Sequence, residues 1–124
     1  MFGKIMVVDD AKVVRTSLGR IVKRLGYALF EAENGEEALK VAGENPDLTL
    51  IFLDINMPVM GGLEFLERYR GDGGATPVVI VSTETDVSMI IKALSLGANE
   101  YVMKPFDEGI IRDKLGLLGI EFQS

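Results

Sequence analysis

The sequence alternates short apolar runs with amphipathic stretches, and the alternation repeats five times within 124 residues. Short runs rich in Val, Ile and Leu are typical of buried strands, whereas apolar residues spaced three and four apart are typical of helices. Strands that alternate with helices predict an α/β domain whose parallel sheet is covered by helices on both faces. Right-handed crossovers then restrict the topology to a doubly wound sheet.

The predicted elements follow from this pattern and from turn residues. The five predicted strands are residues 4–8, 28–32, 48–53, 78–81 and 101–103. The five intervening or following helices are centred on Leu18, Leu39, Leu66, Ile90 and Ile111. Side chains suited to capping helix N-termini are Asn34, Asp86 and Asp107.

The fourth predicted helix carries two apolar stripes. The stripe expected to face the core is Val87, Ile90, Ile91 and Leu94. The second stripe is Met89, Ala93 and Leu96. We expect this second stripe either to form an exposed surface for a partner or to be partly buried under the neighbouring loop. The apolar segment 117–122 is likewise expected to cover the core or to join a dimer.

Composition excludes several classes of function. The chain contains no cysteine and no histidine, so thiolate metal sites and the most common general base are both absent. A net charge of −6 argues against a nucleic-acid surface, which needs a basic stripe. No apolar stretch approaches the ~20 residues that span a bilayer, and segment 1–4 runs directly into a strand without the pattern of a signal peptide. We therefore expect one cytoplasmic domain over residues 1–124.

Polar side chains follow every predicted strand except the second, at the sheet edge where ligands bind in open α/β folds. They are Asp9 and Asp10 after the first strand, Asp54 and Asn56 after the third, Ser82, Thr83 and Glu84 after the fourth, and Lys104 after the fifth. The second strand ends in Glu31-Ala32-Glu33-Asn34, from which we expect no comparable contribution. The sequence thus predicts a single site formed by four strand ends.

The residue types at this edge suggest chemistry with a cation and a phosphoryl group. Two carboxylates about 4 Å apart repel by roughly 4 kcal/mol at an effective dielectric near 20, so a cluster of acids needs a cation. Mg²⁺ prefers such oxygen ligands. A lysine and a hydroxyl suit phosphoryl oxygens, and an aspartate can accept a phosphoryl group as a nucleophile. Asp54 could still be a metal ligand, a nucleophile or a helix cap, and Asp10 could also cap the first helix.

Together these residues resemble the receiver domain of two-component response regulators over essentially the whole chain. The matching motifs are Asp9-Asp10, Asp54-x-Asn56-Met57-Pro58-x-Met60-x-Gly62, Ser82 and Lys104-Pro105-Phe106. The resemblance implies a five-stranded parallel sheet of order 2-1-3-4-5 with five helices. It also implies a cis bond between Lys104 and Pro105.

The resemblance assigns chemical roles to the acids and the lysine. Asp54 would accept the phosphoryl group, and Lys104 would pair with that group once it arrived. Mg²⁺ would be bound by Asp10, Asp54 and the main-chain carbonyl of Asn56. Asp9 would contribute to the metal site mainly through a bound water.

The resemblance also assigns residues that respond to the phosphoryl group. Ser82 would hydrogen-bond a phosphoryl oxygen, and Tyr101 would turn inward as Ser82 moves. Asn56 and Glu84 occupy positions that tune how fast the phosphoryl group is lost. Thr83 stands where the family usually has Ala or Gly, so its bulk could slow entry of the donor or of the attacking water.

The implied function is that of a single-domain response regulator rather than a turnover enzyme. Without a histidine of its own, the chain would receive its phosphoryl group from a histidine kinase or a histidine phosphotransfer protein. Too few residues follow Leu118 for an effector domain, so output would pass through helix four, strand five and helix five of a monomer or weak dimer. Chemotaxis is the leading pathway.

Other functions remain open at this stage. A relay intermediate and a stress-signalling receiver are the alternative pathways, and a phosphorylation-independent binding module is a further possibility. An aspartate-based phosphatase is disfavoured because Asn56 stands where a second acid is needed. A flavin carrier is disfavoured because two acids replace the phosphate loop after the first strand.

Overall fold

The computed structural model describes residues 2–124, so Met1, where the predicted domain begins, lies outside the described residues. Five strands and five helices alternate along the chain. The strands are β1 (Gly3–Val8), β2 (Tyr27–Ala32), β3 (Leu50–Leu53), β4 (Val78–Ser82) and β5 (Glu100–Met103). The helices are α1 (Lys12–Arg24), α2 (Gly35–Glu44), α3 (Gly62–Gly71), α4 (Val87–Ser95) and α5 (Glu108–Leu117).

All strand pairs are parallel, and the strand order is β2-β1-β3-β4-β5. The predicted doubly wound α/β fold is therefore confirmed. Val8 of β1 lies opposite Leu53 of β3, which lies opposite Ile80 of β4. Ser82 lies opposite Met103 of β5. This register places the residues that follow four strands along one edge of the sheet.

Successive strand residues point to opposite faces of the sheet and form two separate cores. Met6 and Ile51 face the core that α2, α3 and α4 cover. Ile5 and Phe52 face the core that α1 and α5 cover. Both faces are buried, which explains why the strands are apolar runs rather than alternating sequences.

The predicted helix caps are confirmed. The side chains of Asn34, Asp86 and Asp107 each accept a hydrogen bond from a main-chain amide in the first helical turn, at 2.8 to 2.9 Å. These bonds fix where α2, α4 and α5 begin, because they satisfy amides that lack a partner within the helix.

The core-facing stripe predicted for α4 is wrong. Three of the four residues predicted to face inward are exposed, namely Val87, Ile91 and Leu94. The stripe formed by Met89, Ala93 and Leu96 packs against the core instead. Both stripes have helical spacing, so periodicity could not choose between them. Ala93 is fully buried within that core.

The segment after α5 packs back onto the domain. Leu118, Ile120 and Phe122 contact the core beneath α1 and α5. The main-chain amide of Gln123 donates a hydrogen bond to the carbonyl of Leu25 at 2.9 Å. This segment therefore covers the core, as one of its two predicted roles required. Among residues 2–124, no helix combines the length and the apolar character needed to cross a membrane.

The orientation of α4 predicts unequal effects of two substitutions. Ala93→Leu should lower the free energy of unfolding by about 1–3 kcal/mol, because extra methylenes overpack a filled core. Leu94→Ala should change it by no more than about 0.5 kcal/mol, because Leu94 is exposed. Urea denaturation of both variants measures this difference. A larger loss of stability in Leu94→Ala than in Ala93→Leu would support the core-facing stripe predicted from the sequence.

Candidate functional site

Three carboxylates meet where β1 and β3 end. Asp9, Asp10 and Asp54 each offer an oxygen that lies within 4.8 Å of the other two. The main-chain amide of Asp54 donates to the carbonyl of Val8 at 2.9 Å, so sheet pairing continues up to the acids and holds them side by side. Asp9 and Asp54 are buried, whereas Asp10 is exposed. Buried like charges at this distance need positive charge nearby.

Lys104 supplies part of that positive charge from the end of β5. Its Nζ lies 2.8 Å from Oδ2 of Asp9 and 3.6 Å from Oδ2 of Asp54. Its main-chain amide donates to the carbonyl of Ser82 at 2.9 Å, which extends the pairing of β4 and β5. The bond between Lys104 and Pro105 is cis, as the family resemblance implies.

The Asp54 carboxyl is not fully compensated by this lysine. Burial raises its pKa above the ordinary value, and the neighbouring Asp9 charge adds to the increase. Lys104, the Ile55 amide that donates to Asp54 Oδ1 at 2.9 Å, and the Ser82 hydroxyl all lower the pKa, but the net shift remains upward. The cluster can therefore take a further cation. Its donors are all oxygens, which suits a hard ion such as Mg²⁺.

Asp9 and Asp10 differ in how their side chains are engaged. Oδ1 of Asp9 accepts a hydrogen bond from the Ala11 amide at 2.9 Å, and Oδ2 is bonded to Lys104. The prediction that Asp10 could cap α1 is wrong, because the N-cap position is Ala11 and no side chain caps it. The side chain of Asp10 is left at the open side of the cluster. The carboxylate best placed to reach an entering cation is thus that of Asp10.

Ser82 lies between the acids and Tyr101. The side chain of Ser82 is fully buried, and its Oγ accepts a hydrogen bond from the Glu84 amide at 3.1 Å. The Tyr101 hydroxyl donates to the Glu84 carbonyl at 2.6 Å. Burial raises the pKa of the Tyr101 phenol, while the Ser82 hydroxyl lowers it, as it also does for the carboxyl of Asp54. One hydroxyl therefore influences both Asp54 and Tyr101.

Glu84 joins the rim of the site to α4. Its Oε2 lies 3.5 Å from Nδ2 of Asn56, which is an exposed residue two positions after Asp54. Its Oε1 accepts a hydrogen bond from the amide of Asp86, the residue that caps α4, at 2.9 Å. The rim of the acid cluster and the start of α4 thus share one side chain.

Thr83 is exposed at the side of the site. It lines a groove of about 360 Å³ together with Val13 and Val14 of α1, Lys104 and Phe106. The Thr83 side chain therefore stands beside the lysine that contacts Asp54. A molecule that approaches along this groove meets Thr83 close to the acids.

A tight loop after β3 fixes the position of Asp54. The amide of Gly62 donates to the carbonyl of Ile55 at 2.9 Å, and a Cβ at Gly62 would lie 2.2 Å from the main-chain oxygen of Asp54. Only glycine fits this contact. In the same loop Val59 has a φ of 68°, which is rare for a β-branched residue, and the Met60 amide bonds across it to Pro58 at 2.8 Å.

Sequence reasoning missed one residue of the site. Arg15 of α1 is buried and donates from Nη1 to the main-chain carbonyl of Asp9 at 2.7 Å. Its guanidinium also lies 3.3 Å from Glu31 and 3.5 Å from Glu33. The end of β2, from which no comparable contribution is expected, therefore reaches the site only through Arg15. A signal existed, since Arg15 precedes the buried Leu18 by one helical turn and so interrupts an apolar stripe with a charge.

Comparison with known proteins identifies the family. The family model described as "Response regulator receiver domain" matches residues 5–116. Chemotaxis protein CheY1 of Helicobacter pylori is 36% identical over 115 residues, which are 90% of this chain and 93% of that protein. Response regulator MprA of Mycobacterium tuberculosis is 38% identical over 104 residues, which are 83% of this chain but 44% of that protein.

Solved structures share the same fold. Chemotaxis protein CheY4 of Vibrio cholerae superimposes with a TM-score of 0.86 at 29% identity, covering 94% of this chain and 98% of that one. The CheX–CheY–BeF3–Mg complex of Borrelia burgdorferi gives a TM-score of 0.90 at 24% identity, covering 97% and 90% of the two chains. Residues 5–116, which the family model matches, include all the strand ends described above. The chain belongs to the response regulator receiver domain family.

Proposed function

We propose that this chain is a single receiver domain that accepts a phosphoryl group on Asp54 and signals through a changed protein-binding surface. The observation that carries the proposal is the meeting of Asp54 with two further carboxylates and Lys104 at adjacent strand ends. Such a receiver is a signalling protein that promotes its own phosphotransfer and dephosphorylation. It differs from a turnover enzyme because its own side chain is modified.

The transfer follows from the chemistry of the acceptor. A carboxylate oxygen of Asp54 attacks the phosphorus of a phosphohistidine on the donor protein, a P–O bond forms, and the P–N bond breaks. The electron pair of that bond goes to the departing imidazole. Asp10, Asp54 and the main-chain carbonyl of Asn56 would hold Mg²⁺, with Asp9 acting through water. Mg²⁺, when bound, would offset negative charge on the transferred oxygens.

Lys104 and Ser82 complete the acceptor site. The lysine already lies 3.6 Å from the Asp54 carboxylate, so a phosphoryl group on that oxygen would arrive within its reach. We propose that the ammonium then pairs with a phosphoryl oxygen and that the hydroxyl of Ser82 donates to another. Asn56, Thr83 and Glu84 line the rim and would set how readily water reaches the acyl phosphate.

The signal would travel through Glu84. When Ser82 turns toward a phosphoryl oxygen, the Glu84 amide loses its present acceptor. The Tyr101 hydroxyl bonds the Glu84 carbonyl, and the Glu84 carboxylate bonds the Asp86 amide at the start of α4. A local charge event at Asp54 would thereby bias the position of Tyr101 and the first turn of α4.

The output surface is formed by α4, β5 and α5. Exposed apolar side chains on these elements are Val87, Ile91, Leu94, Met103, Ile110 and Leu117. The exposed residues of α4, namely Val87, Ile91 and Leu94, are three of the four that the sequence predicts to face the core. They therefore add to this apolar surface. A protein target would bind here after phosphorylation. The chain itself would be a monomer or a weak dimer.

The pathway we propose is chemotaxis in the cytoplasm. CheY1 of Helicobacter pylori, a relative that this chain matches over 93% of its length, is named a chemotaxis protein. The donor would be a histidine kinase or a histidine phosphotransfer protein, because the chain contains no histidine.

Substitution of the acceptor tests the proposal most directly. Asp54→Asn should abolish labelling by a small acyl phosphate in the presence of Mg²⁺, because the amide is not a nucleophile for phosphorus. Intact-mass spectrometry measures the added phosphoryl group. Asp72→Asn, which changes an exposed acid at the end of α3, should label like the unmodified chain. Undiminished labelling of Asp54→Asn would rule out the assignment of Asp54 as acceptor.

The raised pKa of Asp54 predicts how its substitution changes stability with pH. A carboxyl whose pKa is higher in the folded state contributes stability below its unfolded pKa and loses it as pH rises through the folded pKa. Without metal, Asp54→Asn should therefore raise the free energy of unfolding at neutral pH. This gain should shrink as pH falls through the raised folded pKa and should be lost below the ordinary value of 3.8.

Bound metal should reverse the order of stability of the unmodified chain and Asp54→Asn. With saturating Mg²⁺ at neutral pH, the unmodified chain should be stabilised more than Asp54→Asn, because the variant has lost one anionic ligand. Urea denaturation at several pH values, with a chelator or with Mg²⁺, measures both effects. A variant that is less stable than the parent in chelator at neutral pH would contradict the prediction.

A conservative change at Tyr101 tests the signal path. Tyr101→Phe keeps the ring but removes the hydroxyl that bonds Glu84, so labelling should persist. The phosphorylation-dependent change in amide exchange at the first turn of α4 should fall by about two- to tenfold, equivalent to a hydrogen bond of about 0.5–1.5 kcal/mol. Hydrogen-exchange mass spectrometry measures this change. Tyr69→Phe, in α3, is the matched control, and equal responses of the two variants would exclude Tyr101 from the path.

A further inference from the structure

We propose that Arg15 is a positioning residue for the metal site, holding the segment from which Asp9 and Asp10 project. This inference rests on the proposed function for the existence of that site. Arg15 touches neither a reacting atom nor a metal ligand oxygen of the side chains, so it would act only through the main chain. Its position links α1, the end of β2 and the acid pair.

The contact with Asp9 is suited to setting backbone orientation. The carbonyl that accepts from Arg15 Nη1 at 2.7 Å belongs to the peptide group that joins Asp9 to Asp10. The bond is buried and charge-assisted, and such bonds are roughly twice as strong as neutral ones. Fixing this peptide plane fixes the direction in which the Asp10 side chain leaves the chain.

The orientation of the Asp10 carboxylate depends on the main chain more than the orientation of the Asp9 carboxylate does. The Asp9 carboxylate is held on both oxygens, by the Ala11 amide at 2.9 Å and by Lys104 at 2.8 Å. The Asp10 side chain is exposed and provides no cap for α1. The direction of the Asp10 side chain is therefore set by the peptide group to which it is attached. The residue that most directly constrains this peptide from α1 is Arg15.

Glu31 and Glu33 fix the arginine in turn. Glu31 lies 3.3 Å from Nε and Glu33 lies 3.5 Å from Nη2, so the planar guanidinium is gripped on two edges while its third group reaches Asp9. Both glutamate side chains are about half exposed or more, at 47% and 63%. Exposed pairs of this kind contribute little to stability. Their main effect is therefore to orient Arg15.

A positioning role and a purely electrostatic role predict opposite signs for metal affinity. The guanidinium of Arg15 lies near the cluster of Asp9, Asp10 and Asp54, and its positive charge repels Mg²⁺. Removal of this charge alone would therefore tighten Mg²⁺ binding. Loss of positioning instead weakens binding, because substitution of groups that orient metal ligands typically costs about 10- to 100-fold in affinity. The sign of the change thus separates the two roles without any measurement of phosphotransfer.

Calorimetric titration with Mg²⁺ provides the test. Arg15→Met should weaken Mg²⁺ affinity about tenfold or more, and Arg15→Lys should weaken it less, because lysine keeps one donor but lacks the fork. Arg20→Met, which removes an exposed charge from the same helix, should leave the affinity unchanged or slightly tighter. Unchanged or tighter binding by folded Arg15→Met would overturn the inference.

Folding and the proposed function are controlled separately. If circular dichroism shows that Arg15→Met is unfolded, Arg15→Lys decides: weaker binding supports the inference, and unchanged or tighter binding overturns it. If the unmodified chain binds no Mg²⁺, the metal site of the proposed function fails. If the unmodified chain binds Mg²⁺ and the Arg15 variants bind it equally well, only the positioning role fails.

Discussion

The balance of charge among Asp9, Asp54 and Lys104 is the constraint on which the site depends. Two buried carboxylates share one ammonium, at 2.8 and 3.6 Å, and the third acid of the cluster lies on the open side. One lysine cannot neutralise three acids, and the pKa of Asp54 is raised by burial first and by the neighbouring Asp9 charge second. A cluster with this excess of negative charge would favour an added cation, and its contacts would change under the proposed phosphorylation of Asp54. The same constraint would thus account for both parts of the proposed function.

The part of this site that sequence could predict is the part that sheet register determines. Asp9, Asp54, Ser82 and Lys104 each stand at the end of an apolar run, and parallel strands bring their carboxyl ends to one edge. Errors in the predicted strand lengths do not change the predicted site. For example, β3 begins two residues later than predicted, at Leu50, but its predicted end at Leu53 is correct. Function therefore followed from the positions where strands stop, which apolar runs mark clearly. Strand order itself came from the family resemblance.

Sequence failed where the answer depended on distance between elements. The two stripes of α4 have the same helical spacing, and only the burial of Ala93 in the folded chain shows which of them faces inward. The role of Arg15 depends on α1 crossing beside β2, so that a helix residue meets Glu31 and the Asp9 carbonyl together. Periodicity is a property of one element, whereas these contacts join two or three. A charge within an apolar stripe is a useful warning of such contacts, although it does not name the partners.

The proposed connection from Asp54 to the output surface requires no long chain of contacts. Ser82, Glu84 and Asp86 are alternate residues between the end of β4 and the cap of α4, and each is bonded to the next by an amide and a side-chain oxygen. Because the Glu84 amide bonds Ser82 while the Glu84 carboxylate bonds the amide before α4, a shift of Ser82 changes the restraint on the helix start within four residues. Coupling of this kind needs a bistable element rather than a rigid lever. The first turn of α4 would suit that role, because Val87 and Ser88 are exposed and Met89 is only partly buried against the core.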